Sequence, residues 1–170
     1  MNNKIKYIII GIVVVIVIVA GVSYYIAVAE SHFGFPSKAT MKSDTGNSYN
    51  MSKIIAGGPQ TNITKAEKVY YNLSSSASII MVQGDTNSSK IASGLYKLII
   101  GEVDSSSGTY FKQNDSYNGF KYSIFNASFG KDAIGYKSNM IFMITFYGNY
   151  SNSTMAKVAE SNMASMSSFF

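Results

Sequence analysis

The side chains that most often carry enzymatic chemistry are scarce in this chain. It has no cysteine and a single histidine, His32, which excludes a thiol nucleophile, a thiolate metal site and a histidine cluster. One spacing is typical of a nucleophile motif, with Ser128 three residues before Lys131. That chemistry requires one helical turn to bring the lysine against the serine, and here the serine ends a predicted strand. We therefore interpret both features as structural and predict no enzymatic activity.

The charged residues give no sign of a metal or nucleic-acid site. The nine acidic residues are dispersed and form no calcium-loop pattern. The fourteen basic residues are all lysines, scattered along a chain of net charge +5. Because arginine supplies the bidentate contacts to phosphates and bases, we expect no nucleic-acid partner. We also expect no metal and no cofactor.

Asparagine is the residue whose spacing does suggest chemistry, as an acceptor for N-linked sugars. The motif Asn-x-Ser/Thr, the sequon, places a hydroxyl two residues after the asparagine and marks surface positions of exported proteins. A chain rich in serine and asparagine also makes sequons freely. Their number nevertheless predicts N-linked glycans at eight positions: Asn50, Asn62, Asn72, Asn87, Asn114, Asn126, Asn149 and Asn152.

The first thirty residues predict an attachment to a membrane. Residues 7–29 carry no charge and are mostly isoleucine, valine, alanine, glycine and tyrosine, a run long enough to cross a bilayer as a helix. Lys4 and Lys6 precede it, which favours a cytoplasmic tail at residues 1–6 and an extracellular remainder. Ala27-Val28-Ala29 would also fit a cleavage site, but the apolar run is longer than that of most cleaved leaders. We predict an uncleaved, single-pass signal-anchor with the lipid bilayer as a partner.

Two regions follow the predicted span. Residues 30–64 contain both prolines, Pro36 and Pro59, with many glycine, serine, threonine and asparagine residues, and predict a stalk or irregular lead-in. Residues 65–170 predict one extracellular α+β domain with an antiparallel sheet and two helices on one face. Its strands are expected at 69–73, 77–82, 110–111, 120–129, 133–136 and 140–147, with a loop over residues 114–119. Its helices are expected from residue 87 or 88 and from 154.

The alternation in residues 120–129 predicts a half-buried strand. Phe125, Ala127 and Phe129 would point to one side, and Tyr122, Ile124 and Asn126 to the other. Since Asn126 belongs to a sequon, its side is expected to be the wetter one.

Aromatic residues give the remaining functional signal. Tyrosine offers rigid, amphipathic contact area, which is common at protein interfaces and sugar-binding faces, although it also packs in sheets. The candidate contact surface consists of Tyr70, Tyr71, Tyr110, Tyr117, Tyr122, Tyr147 and Tyr150. Together with the anchor and the missing catalytic side chains, it favours a non-enzymatic structural or accessory subunit of a surface or membrane assembly. The alternative is an extracellular binding module for a solute, a glycan or another cell. The anchor, the dense sequons, the absence of cysteine and the few charged residues together suggest a microbial cell surface, with an archaeal source as the compositional expectation.

Overall fold

The structure is a computed structural model that describes residues 33–56, 62–73, 77–127 and 130–167. The predicted cytoplasmic tail and transmembrane segment, residues 1–29, lie outside this range. No helix within the described range is long and apolar enough to cross a membrane.

The described residues form an α+β domain built on a seven-stranded antiparallel sheet with three helices, which confirms the predicted fold class. Along the sheet the strands follow the order β1-β2-β3-β7-β6-β5-β4. The elements are α1 (Lys38–Thr45), β1 (Asn50–Ala56), β2 (Ile63–Leu73), β3 (Ala77–Thr86), α2 (Ser89–Ser105), β4 (Thr109–Tyr117), β5 (Phe120–Ala127), β6 (Gly130–Lys137), β7 (Met140–Tyr147) and α3 (Asn152–Ser167).

Local sequence explains where several elements begin and turn. Ser88 caps α2, because its hydroxyl accepts a hydrogen bond from the backbone N–H of Ile91. Asn118 and Gly119, both at positive φ, join β4 to β5 in the two-residue turn that suits adjacent antiparallel strands. The predicted loop over residues 114–119 is therefore mostly strand, and only its last two residues turn.

One face of the sheet, here called the first face, carries the larger core. Helices α1 and α3 cover it, and the α3 side chains Met155, Val158 and Met163 pack on strand residues such as Ile144 and Met81. Tyr122 and Ile124 of β5 also belong to this core, and both are buried. The expectation that their side of β5 is the wetter one is wrong: Asn126 is exposed because it stands at the strand end, not because the face is open.

The opposite face, here called the second face, carries a smaller core beneath α2. Tyr96, Ile100 and Val103 of that helix pack on Phe125 and Ile134. The two helices predicted from the sequence, α2 and α3, thus lie on opposite faces. The prediction that these two helices share one face is wrong, because both sides of the sheet carry apolar residues that need cover. Helix α3 shares its face with α1, which was not predicted.

The region predicted as a stalk contributes to the domain. Phe33, Met41 and Tyr49 are buried, and β1 pairs with β2 along its whole length. The carbonyl oxygens of Gly34 and Pro36 accept hydrogen bonds from Gln83 and Tyr71 at 2.6 Å each. Residues 33–56 therefore belong to the folded domain, and its start lies well before the predicted residue 65.

The strand directions define two ends of the sheet. At the end called the upper end, β1 and β4 begin and β2, β5 and β7 finish. At the lower end, β3 finishes and β7 begins. Helix α3 follows β7 and runs from the upper end towards the lower end, where its Asn162 meets Gln83 of β3. Gly34 contacts the same glutamine, so both ends of the described chain lie towards the lower end.

Candidate glycosylation and contact surfaces

The side chains of all eight sequon asparagines are exposed. The four other asparagines of the described range differ among themselves: Asn118 and Asn139 are exposed, Asn47 is half-buried and Asn162 is buried. A sugar needs an accessible side-chain amide on a surface position. Every predicted acceptor meets this steric requirement.

The acceptors are unevenly distributed over the surface. Asn50, Asn72 and Asn126 stand at strand ends on the upper end of the sheet, and Asn149 and Asn152 follow β7 at the same end. Asn62 and Asn87 lie together at the lower end, where the Asn87 N–H donates to the Asn62 carbonyl oxygen at 3.2 Å. The upper end would therefore carry the densest sugar coat.

Asn114 lies within the edge strand β4, away from either end. Its backbone has a φ of 53°, a conformation that asparagine tolerates better than most residues. The Tyr96 hydroxyl donates a hydrogen bond to its Oδ1 at 3.1 Å. Since a glycan attaches to Nδ2, this bond leaves the acceptor nitrogen available.

The predicted tyrosine surface is only partly a surface. Tyr71, Tyr122 and Tyr150 are buried, so the prediction that they offer contact area is wrong. They pack in the core of the first face. Tyr71 of β2 and Tyr122 of β5 do so because alternate residues of a strand point to the same face of the sheet, whereas Tyr150 reaches the core from the connection between β7 and α3. Tyr71 and Tyr150 also satisfy their hydroxyls internally, with Pro36 and Tyr49.

The other four predicted tyrosines retain some exposure. Tyr147 is 50% exposed, whereas Tyr70, Tyr110 and Tyr117 are half-buried. Tyr70 and Tyr147 lie on the second face on either side of β3, as the pairing of Ile80 with Tyr70 and of Ser78 with Tyr147 shows. Tyr110 donates instead to Ile100 and Asp104 of α2. Of the seven predicted tyrosines, Tyr70 and Tyr147 are therefore the pair that best fits a contact surface.

A cluster of ionisable groups links β4 and β5 to α3. The ammonium of Lys112 lies 3.1 Å from Glu160 Oε1 and 3.2 Å from Asp115 Oδ2. The Tyr122 hydroxyl donates to the same Glu160 oxygen at 3.2 Å. Sequence reasoning missed this cluster, because Glu160 is 48 residues from Lys112. The only local signal was the three-residue spacing of Lys112 and Asp115.

The electrostatics of this cluster favour charged, paired groups. The hydrogen bond to Tyr122 and those to the two carboxylates raise the pKa of Lys112. The Ser116 backbone N–H and Lys112 lower the pKa of Asp115. A general base or acid near neutral pH needs the opposite shifts, a lowered lysine or a raised carboxyl pKa. The cluster is therefore better suited to holding β4 and β5 against α3 than to transferring a proton.

Among the described residues, Asp132 carries a buried carboxyl group. Its burial raises the pKa of this group to about 6. It stands on β6 opposite Thr145, which hydrogen-bonds to it. No group of three or more histidine, cysteine or acidic side chains within the described ranges is placed to bind a metal ion. His32 and Ser128 lie outside those ranges, while Lys131 donates to the Tyr150 carbonyl oxygen at 3.3 Å.

Comparison with known proteins transfers no function to this chain. No family model matches it, and no curated protein matches it significantly. Its function must be argued from its own residues.

Proposed function

We propose that this chain is a non-enzymatic, single-pass, N-glycosylated surface protein that serves as a structural or accessory subunit of a surface or membrane assembly. The observation that carries the proposal is the exposure of all eight sequon asparagines. The uncharged run at residues 7–29 supports an anchor. Lysines before that run favour a cytoplasmic N-terminus and an extracellular domain.

The internal pairing of the ionisable groups around Lys112 supports a structural role rather than an enzymatic one. The densest ionisable cluster, around Lys112, satisfies its charges internally. A structural subunit needs a stable, sugar-coated domain and a surface for its partners. The uneven placement of the acceptors leaves surfaces such as the outer side of α2 free of sequons.

The proposal is tested on full-length protein isolated from its native membranes. Membranes are washed with alkaline carbonate, and the retained chain is purified in mild detergent and analysed by glycopeptide mass spectrometry. We expect the chain to stay with the membrane, to carry hexose mass at the sequons and to co-purify with a stoichiometric partner or as a homomeric particle. The exposed Asn118 and Asn139, which lack the motif, are internal controls and should carry no sugar. A carbonate-extracted chain with bare sequons would refute the proposal.

A binding module is the second candidate, and the aromatic pair on the second face favours it. Tyr147 is half-exposed opposite Ser78 of β3, and Tyr70 stands on the other side of β3 opposite Ile80. Aromatic rings at a sheet surface suit contacts with sugars or with another protein. Loss of glycan or cell binding on Tyr147→Ala, with an unchanged thermal midpoint, would favour this candidate over a structural subunit.

A further inference from the structure

Tyr70 and Asn72 are neighbours on the second face of the sheet. Both belong to β2, and residues two positions apart in a strand point to the same side, with Cα atoms about 6.6 Å apart. Asn72 is exposed and Tyr70 is half-buried. The asparagine amide that would carry a sugar therefore lies beside a partly accessible aromatic ring.

A tyrosine stands two positions before three of the eight sequon asparagines. The pairs are Tyr70 with Asn72, Tyr147 with Asn149, and Tyr150 with Asn152. The first pair lies within one strand, whereas Tyr147 ends β7 and its asparagine follows the strand. Tyr150 is buried. Of the three, the first pair alone combines an accessible ring with the regular geometry of a strand.

Lys68 already covers one face of the Tyr70 ring. Its ammonium lies 4.6 Å from the ring centre. Lys68 precedes Tyr70 by two positions in β2 and Asn72 follows it by two, so the two side chains flank the ring on the same side of the sheet. With Lys68 against one ring face, the other face is on the side of Asn72.

The surface next to Asn72 has room for a sugar ring. On β3 the residue opposite Asn72 is Ser78, and beyond it, on β7, stands the half-exposed Tyr147. Neighbouring strands are about 4.8 Å apart, so Tyr147 stands about 10 Å from Asn72, with the short Ser78 side chain between them. No bulky side chain of β3 thus stands directly beside Asn72.

We infer that the first sugar on Asn72 packs its apolar face on the Tyr70 ring. The C–H groups on one face of a pyranose carry small positive charges, and these suit the negative face of an aromatic ring. The inference rests on the proposed N-glycosylation of the chain and is independent of the anchor and of the assembly. It assigns Tyr70 to the chain's own glycan, which leaves Tyr147 as the exposed member of the aromatic pair for an external partner.

Asn50 is the competing source of a sugar. It is exposed and pairs with Asn72 from β1, so it also points to the second face. The β1 residue directly opposite Tyr70 is Ser52, and Asn50 stands diagonally, about 7–8 Å away. A sugar on Asn50 approaches the ring from its edge, because the ring faces look along β2 towards Lys68 and Asn72. Asn50 is therefore the matched control.

The test is a double-mutant cycle on the full-length glycoprotein, produced in its native host and purified in mild detergent. Tyr70→Leu removes the ring and Asn72→Gln removes the sugar, and the thermal midpoint is measured for the wild type, both variants and their combination. If sugar and ring are in contact, the combined loss should fall short of the sum by about 2–4 °C, since the contact is lost only once. Tyr70→Phe keeps the ring, so its midpoint should depend on the Asn72 sugar as that of the wild type does.

Two controls isolate the contribution of the sugar. Asn50→Gln combined with Tyr70→Leu should give additive losses. The cycle of Tyr70 and Asn72, repeated on protein made without N-glycosylation, should also be additive. Additive losses in the glycosylated protein, coupling to Asn50 instead of Asn72, or coupling that persists without sugar would overturn the inference.

Proton NMR of the wild-type glycoprotein tests the contact without substitutions. Protons above the face of an aromatic ring resonate upfield, so we expect upfield shifts for the first sugar on Asn72 and nuclear Overhauser effects between it and the Tyr70 ring. Their absence overturns the inference. Bare sequons throughout the chain would refute the proposed function and the contact together. A sugar on Asn72 without coupling or ring shifts would refute the contact alone.

Discussion

Asp132 is a buried carboxyl group on β6, opposite Thr145 of β7. Burial raises its pKa from 3.8 to about 6, against the opposing hydrogen bond with Thr145. The folded state therefore binds the Asp132 proton more tightly than the unfolded state does. Its contribution to stability is full below pH 3.8 and is lost as the pH rises through about 6. A shift of this size corresponds to about 3 kcal/mol.

Replacing Asp132 with asparagine should remove this loss. We expect the unfolding free energy of Asp132→Asn to match that of the wild type near pH 4 and to exceed it at pH 7 by up to about 3 kcal/mol. Denaturant titrations of the two proteins between pH 4 and pH 8 measure the difference. If the two curves stay parallel across this range, Asp132 does not titrate as its burial requires.

Asp115→Asn is the control for this measurement. The pKa of Asp115 is lowered, first by the Ser116 backbone N–H and then by Lys112. Its contribution is therefore present above its unfolded pKa and lost as the pH falls, the opposite sign to Asp132. This variant should keep the loss of stability between pH 4 and about 6 that Asp132 causes.

At the scale of elements, one side chain joins three parts of the fold. The Gln83 amide donates to the carbonyl oxygen of Gly34 at 2.6 Å and to Asn162 Oδ1 at 2.8 Å. It thus connects the segment that precedes α1, strand β3 and helix α3. Gln83 and Asn162 are both fully buried, so these bonds form without competition from water.

Gln83→Met should leave two buried acceptors unsatisfied and destabilise the domain by roughly 2–4 kcal/mol. Asn162→Met alone removes one of the two bonds and should cost less. The double variant should be less destabilised than the sum of the two, because their shared bond is lost only once. Denaturant unfolding of all four proteins measures this coupling. Additive losses would mean that the Gln83–Asn162 bond contributes nothing to stability.

Sequence patterns located the elements that have strong local signals. The apolar run at Met140–Tyr147 and the helix start expected at residue 87 or 88 agree with β7 and with the start of α2. Polar composition was misleading elsewhere: residues 114–119 were expected to form a loop, but 114–117 continue β4. Their strand conformation depends on pairing with β5, which local propensity does not encode.

The same limit applies to faces and sites. Which side of the sheet a helix covers depends on the connection and on the partner strands. The sequences of α2 and α3 therefore do not indicate that the two helices lie on opposite faces. Sequons are readable because the motif is local, and all eight asparagines are exposed. Contact tyrosines cannot be identified in the same way, because a strand that is buried on both faces carries aromatic residues on both of its sides. Tyr71 and Tyr147 could not be separated without the fold.

For the whole molecule, the proposed anchor leaves little room for a stalk. If the span ends at residue 29, three residues separate it from Phe33, which is buried in the domain. Three extended residues reach at most about 10 Å. Phe33 precedes Gly34, which bonds to Gln83 towards the lower end of the sheet. The domain should therefore rest with its lower end near the membrane and its sugar-rich upper end away from it.

Lipid quenching of a fluorophore measures this orientation. In full-length protein reconstituted into vesicles, Asn139→Cys places a label in the β6–β7 turn at the lower end, and Ser153→Cys places one at the start of α3 at the upper end. Both side chains are exposed. The eight residues of β7 separate the two ends by roughly 25 Å. Nitroxide-bearing lipids quench only nearby dyes, so we expect strong quenching at position 139 and weak quenching at 153.

Equal quenching would show a domain held away from the bilayer or lying on its side. Stronger quenching at 153 would place the sugar-rich end against the lipid, which is incompatible with a short connection from residue 29 to Phe33.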